Sequence, residues 1–296
     1  MSRTGLLLSR RFRSGGAVVI LYGVLCVVAA VQVLPLLWAL ATSLKPLDEA
    51  YDSPIVFTGT APQWFNYVEV FSKLPFARFL LNSMVITAAS VFGAVLTSSM
   101  AGYALARLPM RGKRFWFVLL IGSMMLPAQV LLLPHFLLFE LLGWVGTYKP
   151  LIVPAWLGGG AFNVFLFRQY FKSIPRDVEE AALLDGATPW QCYRFVLLPM
   201  ARPVVVTVAV LSFMFHWRSF LHPLLYLSDF RTFPVSLGIR MYQTMAGTWI
   251  NLLMAASLIS LVPVVIVFAA GQRYFGSGLI LSSYRLPAGA RIPSRT

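Results

Sequence analysis

From Ala17 to Leu44 the chain runs without one charged residue, long enough to cross a bilayer as a single helix, which takes about 20 apolar residues. Five more apolar stretches follow, at about Phe79 to Ala106, Phe115 to Leu142, Tyr148 to Phe171, Val204 to Leu227 and Leu252 to Tyr274. Inside hydrocarbon every backbone N–H and C=O must be paired within the protein, so runs of this length specify helices. Of 296 residues, 58% are hydrophobic and 11% charged, whereas a soluble domain carries about a quarter charged residues. The sequence predicts an all-α polytopic membrane protein with six transmembrane helices. Pro127 and Pro134 should kink the third, and Gly158-Gly159-Gly160 should break the fourth or let a neighbouring helix come close.

The net charge of +14 would suit a nucleic-acid binder, but the basic residues fall in short runs between apolar stretches and are read as topology, with no nucleic acid implied. Six spans put both termini on one side. Seventeen of the 24 lysines and arginines then share the side of the termini, six lie opposite, and Arg218 falls inside span five. By the positive-inside rule both termini are cytoplasmic and the loop 45–78 is external. The basic start with Arg3, Arg10, Arg11 and Arg13, followed by Ala39-Leu40-Ala41, has the outline of a signal peptide, but the apolar run is too long for one and is read as an uncleaved first span. The organisation is a cytoplasmic segment over 1–16, a six-helix membrane domain over 17–275 and a cytoplasmic tail over 276–296. Cys26 and Cys192 fall in the first apolar run and in a polar insert, so they imply no disulfide framework.

That insert, Ser173 to Pro203, is the most polar stretch of the second half. Pro175 suits a first helical position, and Asp177, Glu179 and Glu180 complement a helix N-terminus. Gly186 supplies a left-handed stop. Thr188, Pro189 and Gln191 spell a capping box for a second helix, expected to run to Leu198 and stop at Pro199. Ala181 and Ala182 are small enough to let another surface approach closely.

Glu180-Ala181-Ala182, Gly186 four residues on, and then Val196-Leu197-Leu198-Pro199 after nine more resemble the EAA loop of ABC importer permeases, with Val196 where that family prefers Ile. The resemblance implies that 173–200 is a cytoplasmic helix-turn-helix coupling loop that docks in a cleft of an ATPase subunit. Glu179, Glu180, Ala181, Ala182, Asp185, Gly186, Leu198 and Pro199 would be its coupling residues. Thr42-Ser43-Leu44-Lys45, Asn66-Tyr67, Asn82-Ser83, Ala101 to Arg107 and Phe167 to Phe171 resemble the carbohydrate-importer branch of these permeases, over about Ala17 to Phe275. Late in span five that branch usually shows Trp-Asn-Asp; Trp217 and Phe220 fit the pattern, whereas Arg218, Ser219 and the tail beyond Gly276 depart from it. The resemblance implies a permease subunit in a bacterial inner membrane that forms part of a path for a carbohydrate or related solute. Its partners would be a second homologous permease subunit, an ATPase dimer and an extracytoplasmic solute-binding protein. No cofactor is implied in this chain, ATP and Mg being held by the ATPase subunits.

The chain has no phosphate loop of its own, since Gly112-Lys113-Arg114 lacks the preceding glycine and the hydroxyl, so it is not expected to be an enzyme. His135, His216 and His222 show no metal-ligand spacing. His216, Arg218 and His222 lie on one stretch of span five, with Arg218 and His222 at helical spacing for a shared face. An arginine in a span faces a cavity or a partner, or snorkels to the interface. The three residues are read as lining the translocation path or a subunit contact, with snorkelling as the other reading of Arg218. The alternative function is a stand-alone proton-coupled transporter, which would want acids inside spans; the one candidate, Glu140, sits at a span end.

Overall fold

The computed structural model describes residues 14–52, 61–244 and 247–280. The chain divides into two compact units, Met1–Leu74 with Met241–Ile259, and Pro75–Arg240 with Ser260–Thr296. Pro54 and the segments 1–13 and 281–296 lie outside the described residues.

In the first unit, α1 (Ser14–Ser43) is the first apolar run. Its side chains are exposed along most of the described length, as a helix meeting lipid or another subunit requires. Two short helices follow, α2 (Leu47–Asp52) and α3 (Asn66–Lys73). Asn66 is the tie between them: its side-chain amide donates to the carbonyls of Ser43 (2.8 Å) and Lys45 (2.9 Å), and its oxygen accepts from Asn251 at 3.3 Å. Ser43 and Tyr67 share a hydroxyl contact at 2.8 Å. The motifs around Ser43 and Asn66 therefore form one buried polar knot.

The second unit is built on α4 (Phe76–Ala106), whose buried face is largely small: Ser90, Gly93, Ala94, Ser98 and Ser99. Small residues let helices approach closely where there is no water to drive apolar association. The third stretch is two helices, α5 (Lys113–Ser123) and α6 (Leu132–Leu141), with turns between them, not one kinked span. Pro127 lacks an N–H and biases its predecessor out of the helical region, so the helix ends. Pro134 sits in the first turn of α6, where a missing N–H costs nothing. The fourth stretch is α7 (Lys149–Trp156) and α8 (Ala161–Ser173), separated at Gly158-Gly159-Gly160. Gly159 has φ +65°, and a Cβ there would stand 2.3 Å from the Ala94 carbonyl oxygen, so the break and the close approach occur at the same place.

After the polar insert, helices α9 (Arg176–Leu184) and α10 (Pro189–Met200), the chain turns by 78° into α11 (Arg202–Trp217). The fifth stretch was expected to be continuous to Leu227 but ends at Trp217, resuming as α12 (Leu221–Tyr226). Pro223 cannot donate to the Ser219 carbonyl one turn back, and the Ser236 hydroxyl donates to that carbonyl instead, at 2.7 Å. Helix α13 (Val235–Arg240) and a two-residue hairpin, β1 (Gln243–Thr244) with β2 (Gly247–Thr248), lead to α14 (Ile250–Ile280). Among the described residues four segments are long and apolar enough to cross a membrane, namely α1, α4, α7 with α8 counted as one, and α14, or five if α10 and α11 make one bent span.

Candidate functional site

The polar insert folds as the helix–turn–helix that its capping signals predict. The N–H of Gly186 donates to the Leu183 carbonyl and that of Ala187 to the Ala182 carbonyl, both at 3.0 Å, which is a Schellman stop. Gly186 takes φ +85°, a region strained for any residue with a side chain. The Thr188 hydroxyl accepts from the Gln191 N–H at 3.3 Å, and the Gln191 side chain accepts from the Thr188 N–H at 2.7 Å, completing the capping box. The second helix does not stop at Pro199. It widens into a π-helical turn over Cys192–Leu197, in which the Leu198 N–H donates to the Tyr193 carbonyl, and Pro199 enters the first turn of the α-helix that follows. The proline then leaves no donor unmatched, and the helix runs on to Met200.

The insert is bolted to the ends of α4 and α8. The Arg107 guanidinium donates to the carbonyls of Phe171 (2.6 Å) and Ile174, and its Nε lies 3.5 Å from a Glu179 oxygen. The Tyr103 hydroxyl sits 3.2 Å from the other Glu179 oxygen and 3.1 Å from the Pro189 carbonyl. Tyr193 meets the Ser99 hydroxyl at 2.7 Å and packs with Phe167, Phe171, Leu197 and Ala201 in a fully buried cluster. Cys192 is buried there, and burial, with the Glu179 charge, pushes its thiol up.

The coupling residues read from the sequence thus divide. Glu179 is held inward, while Glu180, Ala181, Asp185 and Gly186 are exposed; Ala182, Leu198 and Pro199 are half-buried. Tyr103 and Arg107 were missed as anchors. Their only signal was their place in the Ala101 to Arg107 motif, where Arg107 had counted as topology alone.

The second candidate lies at the other end of α4. A cavity of about 220 Å³ is walled by Ser83, Ile86 and Thr87 of α4, His135 and Phe139 of α6, residues of α7, and His216, Ser219, His222 and Tyr226 around the α11–α12 break. His216 and His222, singled out from sequence, do share this wall, and His135 joins them. Arg218 does not share a helix face with His222, because the helix breaks between them; it caps α11 and lines an open depression that adjoins the cavity and shares Phe215, Ser219 and His222 with it. Among the described residues no three His, Cys, Asp or Glu side chains are placed so that they could hold one metal ion, these three histidines included.

A multi-helix apolar chain that carries a rigid polar helix–turn–helix against its helix ends has the build of a transporter's membrane subunit. This chain belongs to the family of binding-protein-dependent transport system inner membrane components, matched over residues 93–280, and it is a permease subunit of an ATP-binding-cassette importer. It is 33% identical to the arabinooligosaccharides transport system permease protein AraQ of Halalkalibacterium halodurans over 87% of this chain and 93% of that protein. It is 32% identical to the trehalose/maltose transport system permease protein MalG of Thermococcus litoralis, over 85% and 91%. The sn-glycerol-3-phosphate transport system permease protein UgpE of Brucella abortus is 33% identical over 73% and 77%. Its fold is similar to that of a chain in a bacterial ABC transporter involved in import of the acidic polysaccharide alginate, with TM-score 0.77 at 21% identity over 93% of this chain and 99% of that one.

Proposed function

We propose that this subunit forms part of the translocation path for a carbohydrate or related solute, and that residues 175–198 couple it to separate ATPase subunits. The observation that carries the reading is the anchoring of Glu179 by Arg107 and Tyr103. A helix clamped at its base transmits a push to α4 and α8; a floppy loop would absorb it. The exposed face of Glu180, Ala181 and Gly186 is left for the ATPase, with Ala182 partly covered beneath. A second permease subunit, an ATPase dimer that holds ATP and Mg, and an extracytoplasmic binding protein complete the system. In this reading the chain crosses a bacterial inner membrane six times, α5 with α6 making the third crossing, the membrane domain covers 17–275, and both termini and the insert are cytoplasmic.

Sidedness has to be tested away from Cys192, whose burial hides it from reagents on either side. In a Cys26→Ser background, Glu180→Cys should resist an impermeant thiol reagent in intact cells and react once the membrane is permeabilised. Labelling from outside would overturn the orientation. For coupling, Ala182→Trp should abolish ATPase pull-down and substrate uptake while the spans stay inserted; full uptake would show that the insert is not the dock.

A further inference from the structure

We propose that the groove between the start of α5 and the end of α8 is a phosphate site for one anionic phospholipid, taken from the leaflet on the insert's side of the membrane. The proposal needs only that the chain spans a bilayer, and it stands apart from the transport reading. Three features carry it.

The first is a crowd of one charge sign. Lys113 opens α5, Arg168 and Lys172 lie one turn apart on α8, and Arg176 opens α9. The four charges that act most strongly on Lys113 are all positive, those of Lys172, Arg168, Arg176 and Arg107. Glu179 is taken up by Arg107, and no acid pairs with the other four cations among the described residues. Like charges held this close and partly out of water repel one another, and an anion placed among them removes that cost. The second feature is that the cations are held in place. The Arg168 guanidinium sits over the Phe117 ring, 3.5 Å from its centroid, and Phe117 stacks on Phe165 at 6.4 Å, so an aromatic pair floors the groove. The Arg168 Nε is covered, while its two terminal nitrogens are accessible and make no hydrogen bond among the described residues. Guanidinium nitrogens so placed suit phosphate oxygens. The Lys113 ammonium gives one of its three donors to the Leu108 carbonyl, at 3.1 Å, and keeps two. The third feature points to a lipid. Just beyond Lys113 on α5, Phe115, Trp116, Val118 and Leu119 are each more than half exposed. Tryptophan beside basic residues, followed by apolar side chains, marks the height of lipid headgroups. A lipid phosphate between basic helix ends runs its acyl chains along such a face. A free phosphate or an acidic protein segment would leave the face uncovered.

The test uses this subunit purified with its partner subunits in a nonionic detergent, read by native mass spectrometry. The complex is titrated with dioleoylphosphatidylglycerol, with dioleoylphosphatidylcholine, or with inorganic phosphate. Wild type should hold one phosphatidylglycerol that neither phosphatidylcholine nor inorganic phosphate displaces. The triple variant Lys113→Gln, Arg168→Gln, Lys172→Gln should lose it. Arg285→Gln, Arg291→Gln, Arg295→Gln, which takes the same charge from the tail, should keep it. Lys172→Gln alone should weaken retention about fivefold, the effect of one basic side chain at a lipid surface, and Lys172→Arg should restore it. Should the triple variant fail to assemble, Lys172→Gln decides, because that side chain is exposed. Equal retention of the two lipids by wild type, unchanged retention in Lys172→Gln, or equal loss in the tail variant overturns the site. Displacement by inorganic phosphate makes it a free-anion site and overturns the lipid. Loss of the ATPase subunits from Lys172→Gln, with lipid retention unchanged, makes the groove a protein contact and overturns it as well.

Discussion

The insert at 175–200 and the cavity wall at 216–226 are both places where a helix is interrupted, and they are finished in opposite ways. In the insert every interruption is closed locally: a Schellman stop at Gly186, a capping box at Thr188, a π-helical turn before Pro199. Its one inward acid is met by Arg107 and Tyr103. Between α11 and α12 the break falls at 218–220, where the Ser236 hydroxyl takes the Ser219 carbonyl that Pro223 cannot serve, and the Thr87 and Tyr226 hydroxyls make no hydrogen bond within the chain. The clamp that holds the insert is not fully matched either, since the buried Arg107 Nε lies 3.5 Å from Glu179 without a hydrogen bond.

The largest effect that could break this contrast is Arg107→Ala. The side chain is 5% exposed and its loss strands Glu179 and two carbonyls, so a cost of about 3–5 kcal/mol is expected. Thermal unfolding of the purified complex would show it; a melting point equal to wild type would mean that the insert is not clamped. Next, Gly186→Val puts a β-branched residue at φ +85°, for roughly 1–2 kcal/mol of strain. Nothing lies within 4 Å of an added Cβ, so the strain is purely conformational and Gly186→Asn should recover most of it. Uptake should follow the same order, Val below Asn below wild type.

Removing the threonine cap, Thr188→Ala, should cost about 1 kcal/mol and fray the second helix, seen as faster amide exchange over 190–192 with the first helix unaffected. In the wall, Pro223→Ala restores an N–H that competes with Ser236 for the Ser219 carbonyl. Stability should change by less than about 1 kcal/mol, while the cavity shape, read by uptake rate, should change. The smallest effect is expected for Glu180→Ala, because Glu180 is exposed and makes no ion pair among the described residues. Stability should be unaltered, with only a modest loss of ATPase pull-down.

The apolar runs alone decided that this is a helical membrane protein, because unpaired backbone cannot sit in hydrocarbon and only helix pairs it within one short segment. The capping letters decided the helix–turn–helix for a similar reason: each end is satisfied by residues three or four away, so spacing is enough. Prolines were legible as interruptions but not in kind. Pro127 splits a stretch expected to be one kinked span, the stretch expected to be continuous to Leu227 breaks at 218–220 with Pro223 in the first turn of α12, and Pro199 stops nothing, since what a missing N–H does depends on which other group takes the freed carbonyl. Only the tertiary structure decided that Arg107 reaches Glu179 across 72 residues, that Asn66 ties Ser43 to Asn251, and that Thr87, His135 and Tyr226 share a wall with His216 and His222. Those contacts join residues distant in the chain, and no periodicity records them, because packing between helices is set by how small side chains such as those of α4 let backbones approach.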